Sequence, residues 1–209
     1  LVEKDEGGSE YNQFYLVKGD GTDIVRITDN APKVLYDFGR WSNDGSFFSY
    51  LSNKRSPYFY DIYLYDIDKK TSAMVYSSDN SNYPSEFAPD DNSMVITRSY
   101  TSHDNDVYLL DLLTGDFRLV TMHNNFNDPA EFRMVSFSDD GSDIYYISNM
   151  NSDFYRLSKY DISNGNIVNL KIPVLKGYEF RDISRVVFSN DKTRMLIQIN
   201  DEGYDRLFM

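Results

Sequence analysis

The stretch Trp41-Ser42-Asn43-Asp44-Gly45-Ser46 decides the fold, because the chain writes it four times. The other copies are Phe87-Ala88-Pro89-Asp90-Asp91-Asn92, Phe137-Ser138-Asp139-Asp140-Gly141-Ser142 and Phe188-Ser189-Asn190-Asp191-Lys192-Thr193. Their leading aromatics, Trp41, Phe87, Phe137 and Phe188, are spaced by 46, 50 and 51 residues. Self-similarity at this period means one supersecondary unit used repeatedly. Within each copy an aromatic closes one apolar run, an acidic turn follows, and a second apolar run begins. Asp-Gly, as in Asp44-Gly45 and Asp140-Gly141, is a preferred pair for a tight hairpin turn that needs positive φ.

Outward from these turns the same strand signals recur. Ser46–Leu51 is followed by Asp61–Asp66 and Ala73–Tyr76 in the first full copy. Val95-Ile96, Val107–Leu110 and Phe117–Val120 follow in the second, and Ile144–Ile147, Tyr155–Tyr160 and Ile167–Leu170 in the third. The runs are short, rich in β-branched and aromatic residues, and bounded by Gly, Asn, Asp and Ser. Several, such as Phe47-Phe48 and Ile62-Tyr63-Leu64-Tyr65, are apolar on both faces. A strand with one wet face alternates, whereas a sheet stacked between two others need not. Four antiparallel strands per unit, stacked face to face, is the β-propeller solution. The expected fold is therefore all-β: a propeller segment of about three complete blades and two partial ones. Residues 1–10 read as an N-terminal extension and 11–209 as the propeller segment. Within it lie a partial blade at 11–28, blades at 34–78, 84–121 and 132–170, and a partial blade at 183–209. The segment is expected to be an arc of a larger propeller. The alternative is a four-bladed ring closed by its two ends.

Composition narrows the function. With 33 acidic and 21 basic residues the formal charge is −12. That argues against nucleic-acid binding, which needs basic groups on phosphates, and against an anionic membrane surface. No apolar run approaches the ~18–20 residues of a membrane span. There is no cysteine, which removes thiolate nucleophiles and cysteine metal sites. The chain opens Leu1-Val2-Glu3-Lys4 and reads as processed or trimmed. Periplasm and cytoplasm are both compatible.

The motif Trp41–Ser46, then Ser52-Asn53-Lys54-Arg55, then Asp61-Ile62-Tyr63-Leu64-Tyr65-Asp66 resembles the TolB-like propeller repeat. More closely, it resembles the N-terminal propeller of the prolyl oligopeptidase family, in its acylaminoacyl- and dipeptidyl-peptidase-like branch. The lead-in Tyr36-Asp37-Phe38-Gly39-Arg40 and the run Asp106–Gly115 are similar to bacterial members. The resemblance departs where the pre-turn proline survives only as Pro89 and the turn glycine only as Gly45 and Gly141. It implies an α/β-hydrolase domain of the same polypeptide, outside these residues, carrying the Ser, Asp and His. It also implies a peptide substrate whose access the propeller restricts. A TolB-like protein-interaction module without enzymatic activity is the alternative.

No catalytic residue is assigned. A nucleophile elbow needs Gly-x-Ser-x-Gly, and none is written. The two histidines, His103 and His123, sit in polar stretches. No Glu-Glu pair is present to anchor a peptide amino terminus, as dipeptidyl-peptidase relatives do. No cofactor and no metal are expected: the acidic loops Gly19–Asp23 and Ser138–Asp143 have calcium-type donors but read as turns. A lyase or glycosidase built on carboxylates is disfavoured, since no carboxylate pair stands apart from the turns. The aromatics (18 Tyr, 14 Phe, 1 Trp), including the matched Tyr63 and Tyr108, read as packing between blades. The one candidate contact for a peptide or partner domain is the basic pair Lys54-Arg55, expected in a loop.

Overall fold

The computed structural model describes residues 1–29, 31–121, 128–172 and 175–209. They are organised as two compact units, Leu1–Pro84 and Ser85–Met209. Every recorded strand pairing is antiparallel, and no α-helix occurs among the described residues.

In the first unit, β1 (Val2–Lys4), β2 (Gln13–Leu16) and β3 (Val25–Arg26) form a three-stranded sheet in that order. Strands β4 (Tyr36–Trp41), β5 (Phe47–Ser56), β6 (Phe59–Asp66) and β7 (Thr71–Tyr76) form a four-stranded sheet, again in chain order. Its core is aromatic. Phe14 of β2 is fully buried and meets Tyr36, Phe48 and Tyr50 with ring centroids 5.9, 6.3 and 5.9 Å apart. Aromatic pairs at these separations add to the free energy of burial. Residues 2–4, inside the stretch read as an extension, pair with β2 from Val2↔Tyr15 to Lys4↔Gln13. One exposed apolar residue in three gave the sequence no strand pattern there.

The second unit begins within β8 (Ser81–Phe87), whose sheet continues through β9 (Ser93–Thr101), β10 (Asp104–Asp111) and β11 (Phe117–Leu119). A further four-stranded sheet holds β12 (Phe132–Phe137), β13 (Asp143–Ser148), β14 (Arg156–Asp161) and β15 (Ile167–Asn169). A three-stranded sheet of β16 (Ile183–Phe188), β17 (Met195–Asp201) and β18 (Tyr204–Phe208) completes it. Strand β13 explains its own apolar sequence. Ile144 and Tyr146 join one buried cluster with Val107 and Phe132, while Ile147 joins another with Leu157, Ile183 and Ile197. Both faces of the sheet are covered, so alternation is lost.

The four repeat turns share one geometry. Residue 42, 88, 138 or 189 donates its N–H to the carbonyl of residue 47, 93, 143 or 194, at 2.8–2.9 Å. The residue three further on in each turn is left-handed: Gly45 (φ 73), Asp91 (φ 57), Gly141 (φ 71) and Lys192 (φ 52). Asp91 and Lys192 therefore accept the conformation that glycine relieves elsewhere. The four leading aromatics are not equivalent. Phe87 and Phe137 are 3% and 1% exposed, but Trp41 is 41% exposed and Phe188 is half-buried. A shared place in the repeat therefore does not make four matching buried anchors, and Trp41 leans its ring on Phe48 at 5.1 Å.

Candidate functional site

The acidic turn residues look like metal donors in sequence, and the structure shows what occupies them. Asp140 Oδ1 accepts from the hydroxyls of Ser138 and Ser142 at 2.7 and 2.8 Å and from the Ser142 N–H at 3.0 Å. Asp44 is bound the same way by Ser42 and Ser46, and Asp191 by Ser189 and Thr193. These donors, led by the Ser138 hydroxyl, hold the Asp140 carboxyl at about 2. Asp20, in the other calcium-like loop, takes the N–H and hydroxyl of Thr22 at 2.9 and 2.6 Å. No cluster of three metal-type side chains occurs among the described residues.

Lys54 and Arg55, expected in a loop, lie in the last turnward residues of β5. The reason is that β5 runs on past its bulge to pair Ser56 with Phe59. Arg55 Nε bonds both Asp61 oxygens at 3.0 and 2.8 Å, while its other nitrogens reach Asp79 Oδ1 at 3.1 Å and the Ser78 carbonyl at 2.9 Å. Asp61 is completely buried, so Arg55 compensates an internal charge. Lys54 pairs with Asp29, which also accepts from the Tyr36 hydroxyl.

His103 stands at the β9–β10 turn, its side chain 83% exposed and Nδ1 4.0 Å from Glu131. Glu131 is committed elsewhere: Arg133 binds both its oxygens at 2.6 Å and Tyr155 donates at 2.7 Å. These contacts, Arg133 first, lower the Glu131 carboxyl, and burial and Glu131 push the Tyr155 phenol up to about 12. The arrangement orients no serine. His123 lies outside the described residues. Tyr63 and Tyr108 stack within their own sheets, on Tyr50 at 5.2 Å and on Phe117 at 4.5 Å.

Sequence reading missed a network on β8, β12 and the turn after β16 of the second unit. Lys192 Nζ donates to Ser136 Oγ at 2.8 Å and pairs with Glu86 at 3.1 Å. Glu86 also accepts the Phe137 N–H at 3.1 Å. Glu86 and Ser136 each precede the leading aromatic of their repeat, in β8 and β12, and Lys192 is the left-handed turn residue after β16. The network thus ties three repeats together through the residue that breaks the turn glycine pattern. The signal was legible only as that break.

The same unit contains a cavity of about 720 Å³ along β14, β15 and residues 170–172 and 175–181. Its most buried walls are Tyr146, Leu157 and Ile183, and Arg156, Lys171 and Lys176 supply charge.

Repeated sheets of antiparallel strands, joined by identical first-to-second-strand turns and buried on both faces, define a β-propeller made of four-stranded blades. Solved structures similar to it in fold include TolB proteins and prolyl oligopeptidases. TolB of Acinetobacter baumannii superposes with a TM-score of 0.58 at 21% identity, over 94% of this chain and 48% of TolB. The TolB assigned to Agrobacterium tumefaciens gives 0.55 at 20%, over 80% and 59%. A prolyl endopeptidase gives 0.71 at 11% identity, over 98% of this chain and 31% of the enzyme. Prolyl oligopeptidase B of Galerina marginata, solved with a 35mer hydrolysis and macrocyclization substrate, gives 0.69 at 14%, over 95% and 30%. The chain thus spans about half the length of the TolB structures and under a third of the peptidases. No protein-family model and no curated protein matches it.

Proposed function

We propose that this chain is a non-catalytic propeller that gates and orients peptides for a serine-peptidase α/β-hydrolase domain lying outside these residues. The observation that carries this reading is the superposition on the prolyl endopeptidase, 0.71 over 98% of the chain. The chemistry of the chain agrees with it. Acyl transfer needs an activated nucleophile and stabilisation of the oxyanion. His103 faces a carboxylate already bound by Arg133 and Tyr155, and the Ser136 hydroxyl accepts a hydrogen bond from Lys192 and donates one to Glu86, a carboxylate that Lys192 itself pairs with. In a propeller the blades surround a central channel; Glu86 and Ser136 lie on the first strands β8 and β12 of their blades and Lys192 in the turn after β16. A second reading, a TolB-like interaction module with no enzyme attached, is favoured by the higher identity to TolB, 21% against 11–14%.

The test is to treat the intact natural polypeptide with a serine-directed fluorophosphonate probe and map the labelled residue. Labelling at one serine outside residues 1–209 is expected. Stoichiometric labelling within them overturns the non-catalytic assignment, and absence of labelling favours the interaction module.

A further inference from the structure

The repeats provide their own template for the turn between the third and fourth strands of a blade. Asp66, Asp111 and Asp161 each open this turn, and the fourth residue after each is left-handed: Lys70 (φ 55), Gly115 (φ 77) and Gly165 (φ 75). The residue just before it is Lys69, Thr114 or Asn164. In all three turns that residue gives its N–H to Oδ1 of the aspartate, at 2.8, 2.8 and 3.3 Å. Lys69 also gives its ammonium to Asp66 Oδ2 at 2.7 Å, and Asn164 gives Nδ2 to Asp161 Oδ2 at 2.9 Å. Only the turn between β14 and β15 writes Asn-Gly here, and it is the one Asn-Gly pair in the chain.

That pair carries its own chemistry. An asparagine side chain can fold back so that the next amide nitrogen meets its Cγ in a five-membered ring, and glycine has no Cβ to block the approach. Such intramolecular placement replaces an encounter by a rotation. Asn164 and Gly165 are both exposed, and a Cβ on Gly165, its chain neighbours aside, would meet only the Tyr160 hydroxyl at 3.8 Å. Asn164 Oδ1 accepts the Asn166 N–H at 2.9 Å, a donor placed where negative charge builds as Cγ is attacked. The Gly165 N–H is held by the Asp161 carbonyl at 2.9 Å. Attack therefore waits on the opening of an exposed turn, a motion drawn from the low-stability end of the fold. The Asp-Gly pairs at Asp20, Asp44 and Asp140 are protected from the same cyclisation. It needs the neutral acid, and hydrogen bonds led by those from Thr22, Ser46 and Ser138 keep the three side chains as carboxylates.

We propose that Asn164 is a self-modification site whose conversion loosens the β14–β15 hairpin. The Gly165 nitrogen bonds to Asn164 Cγ, the Cγ–Nδ2 bond breaks, and the Gly165 amide proton leaves with Nδ2 as ammonia. Water then opens the succinimide to aspartate or isoaspartate. Both products trade the amide that donates to Asp161 Oδ2 for a carboxylate, and isoaspartate also lengthens the main chain of the turn by a methylene. The pairing at stake runs from Tyr160↔Ile167 to Ser158↔Asn169. This site is separate from peptide gating and does not rest on it. The intact protein is held folded in neutral and mildly alkaline buffer and sampled by peptide mapping with mass spectrometry, and enzymatic isoaspartyl methylation separates the two products. Conversion is expected at Asn164 before any other asparagine. Its rate should rise about tenfold per pH unit, because the attacking species is the deprotonated amide. Asn164→Thr, which copies Thr114, should abolish it at an unchanged urea midpoint, and Asn164→Gln, which needs a six-membered ring, should sharply slow it. Asn164→Asp should lower the urea midpoint. Conversion confined to urea-unfolded protein, earlier conversion of another asparagine, or a rate independent of pH overturns the modification site. An unmoved midpoint in Asn164→Asp overturns the loosening.

Discussion

At the scale of single residues, the repeat turns run on two devices: an acid that gathers donors and a residue that tolerates positive φ. Asp140 is the clearest acid, held at about 2 by the Ser138 hydroxyl and by Ser142, against about 3.9 for a free aspartate. Its pKa is depressed on folding, so the stability it contributes is complete above about pH 4 and is lost as pH falls through about 2. Carboxyl NMR titration should show this midpoint, and Ser138→Ala should move it back upward. An Asp140 midpoint near 4 in the folded protein would refute the turn geometry. The glycines separate strain from crowding. A Cβ on Gly45 would meet nothing within 4 Å, so Gly45→Ala carries only the left-handed penalty of about 1–2 kcal/mol. Gly141→Ala adds a contact with Pro89 Cδ at 3.2 Å and should cost more. Urea unfolding of the two variants checks the order, and equal losses would mean Pro89 yields freely.

At the scale of elements, burial rather than sequence position decides what each repeat aromatic is worth. Phe137 is 1% exposed, so Phe137→Ala should cost about 3–5 kcal/mol. Trp41 is 41% exposed, and Trp41→Ala should cost about half that or less, measured by the same unfolding experiment. Arg55→Ala should destabilise more than Lys54→Ala, because it strands a buried Asp61 while the latter frees a half-exposed Asp29. Coincident midpoints for these two variants would count against the Arg55–Asp61 pair. The strands themselves were legible because their turns are written in local chemistry: Asp, Gly and Ser at fixed offsets. What stayed hidden was long-range. Nothing near Trp41 says that its edge of the sheet is open, and nothing near Lys192 says that its ammonium ends on Glu86, 106 residues away. Arg55 illustrates the same limit: a basic pair after a polar stretch looks like a loop tip until β5 is seen to continue to Ser56.

At the scale of the whole molecule, the sequence disclosed architecture through repetition, but a repeat encodes how a unit packs, not what passes it. The departures from repetition carry the individual chemistry, as Lys192 does at its turn, and they are invisible without the other copies as a reference. If the gating proposal holds, deleting residues 1–209 from a catalytically active natural polypeptide should let it cleave longer substrates, because a channel no longer limits entry. The charge makes a sharper forecast. At −12 the propeller should attract cationic peptides and repel acidic ones, and such steering weakens with ionic strength. For the intact enzyme, kcat/KM on a lysine-containing peptide should therefore fall as salt rises, while that on a matched glutamate-containing peptide rises. After deletion both slopes should flatten. Slopes that persist unchanged would place the steering charge in the hydrolase domain and remove the propeller from substrate selection by charge.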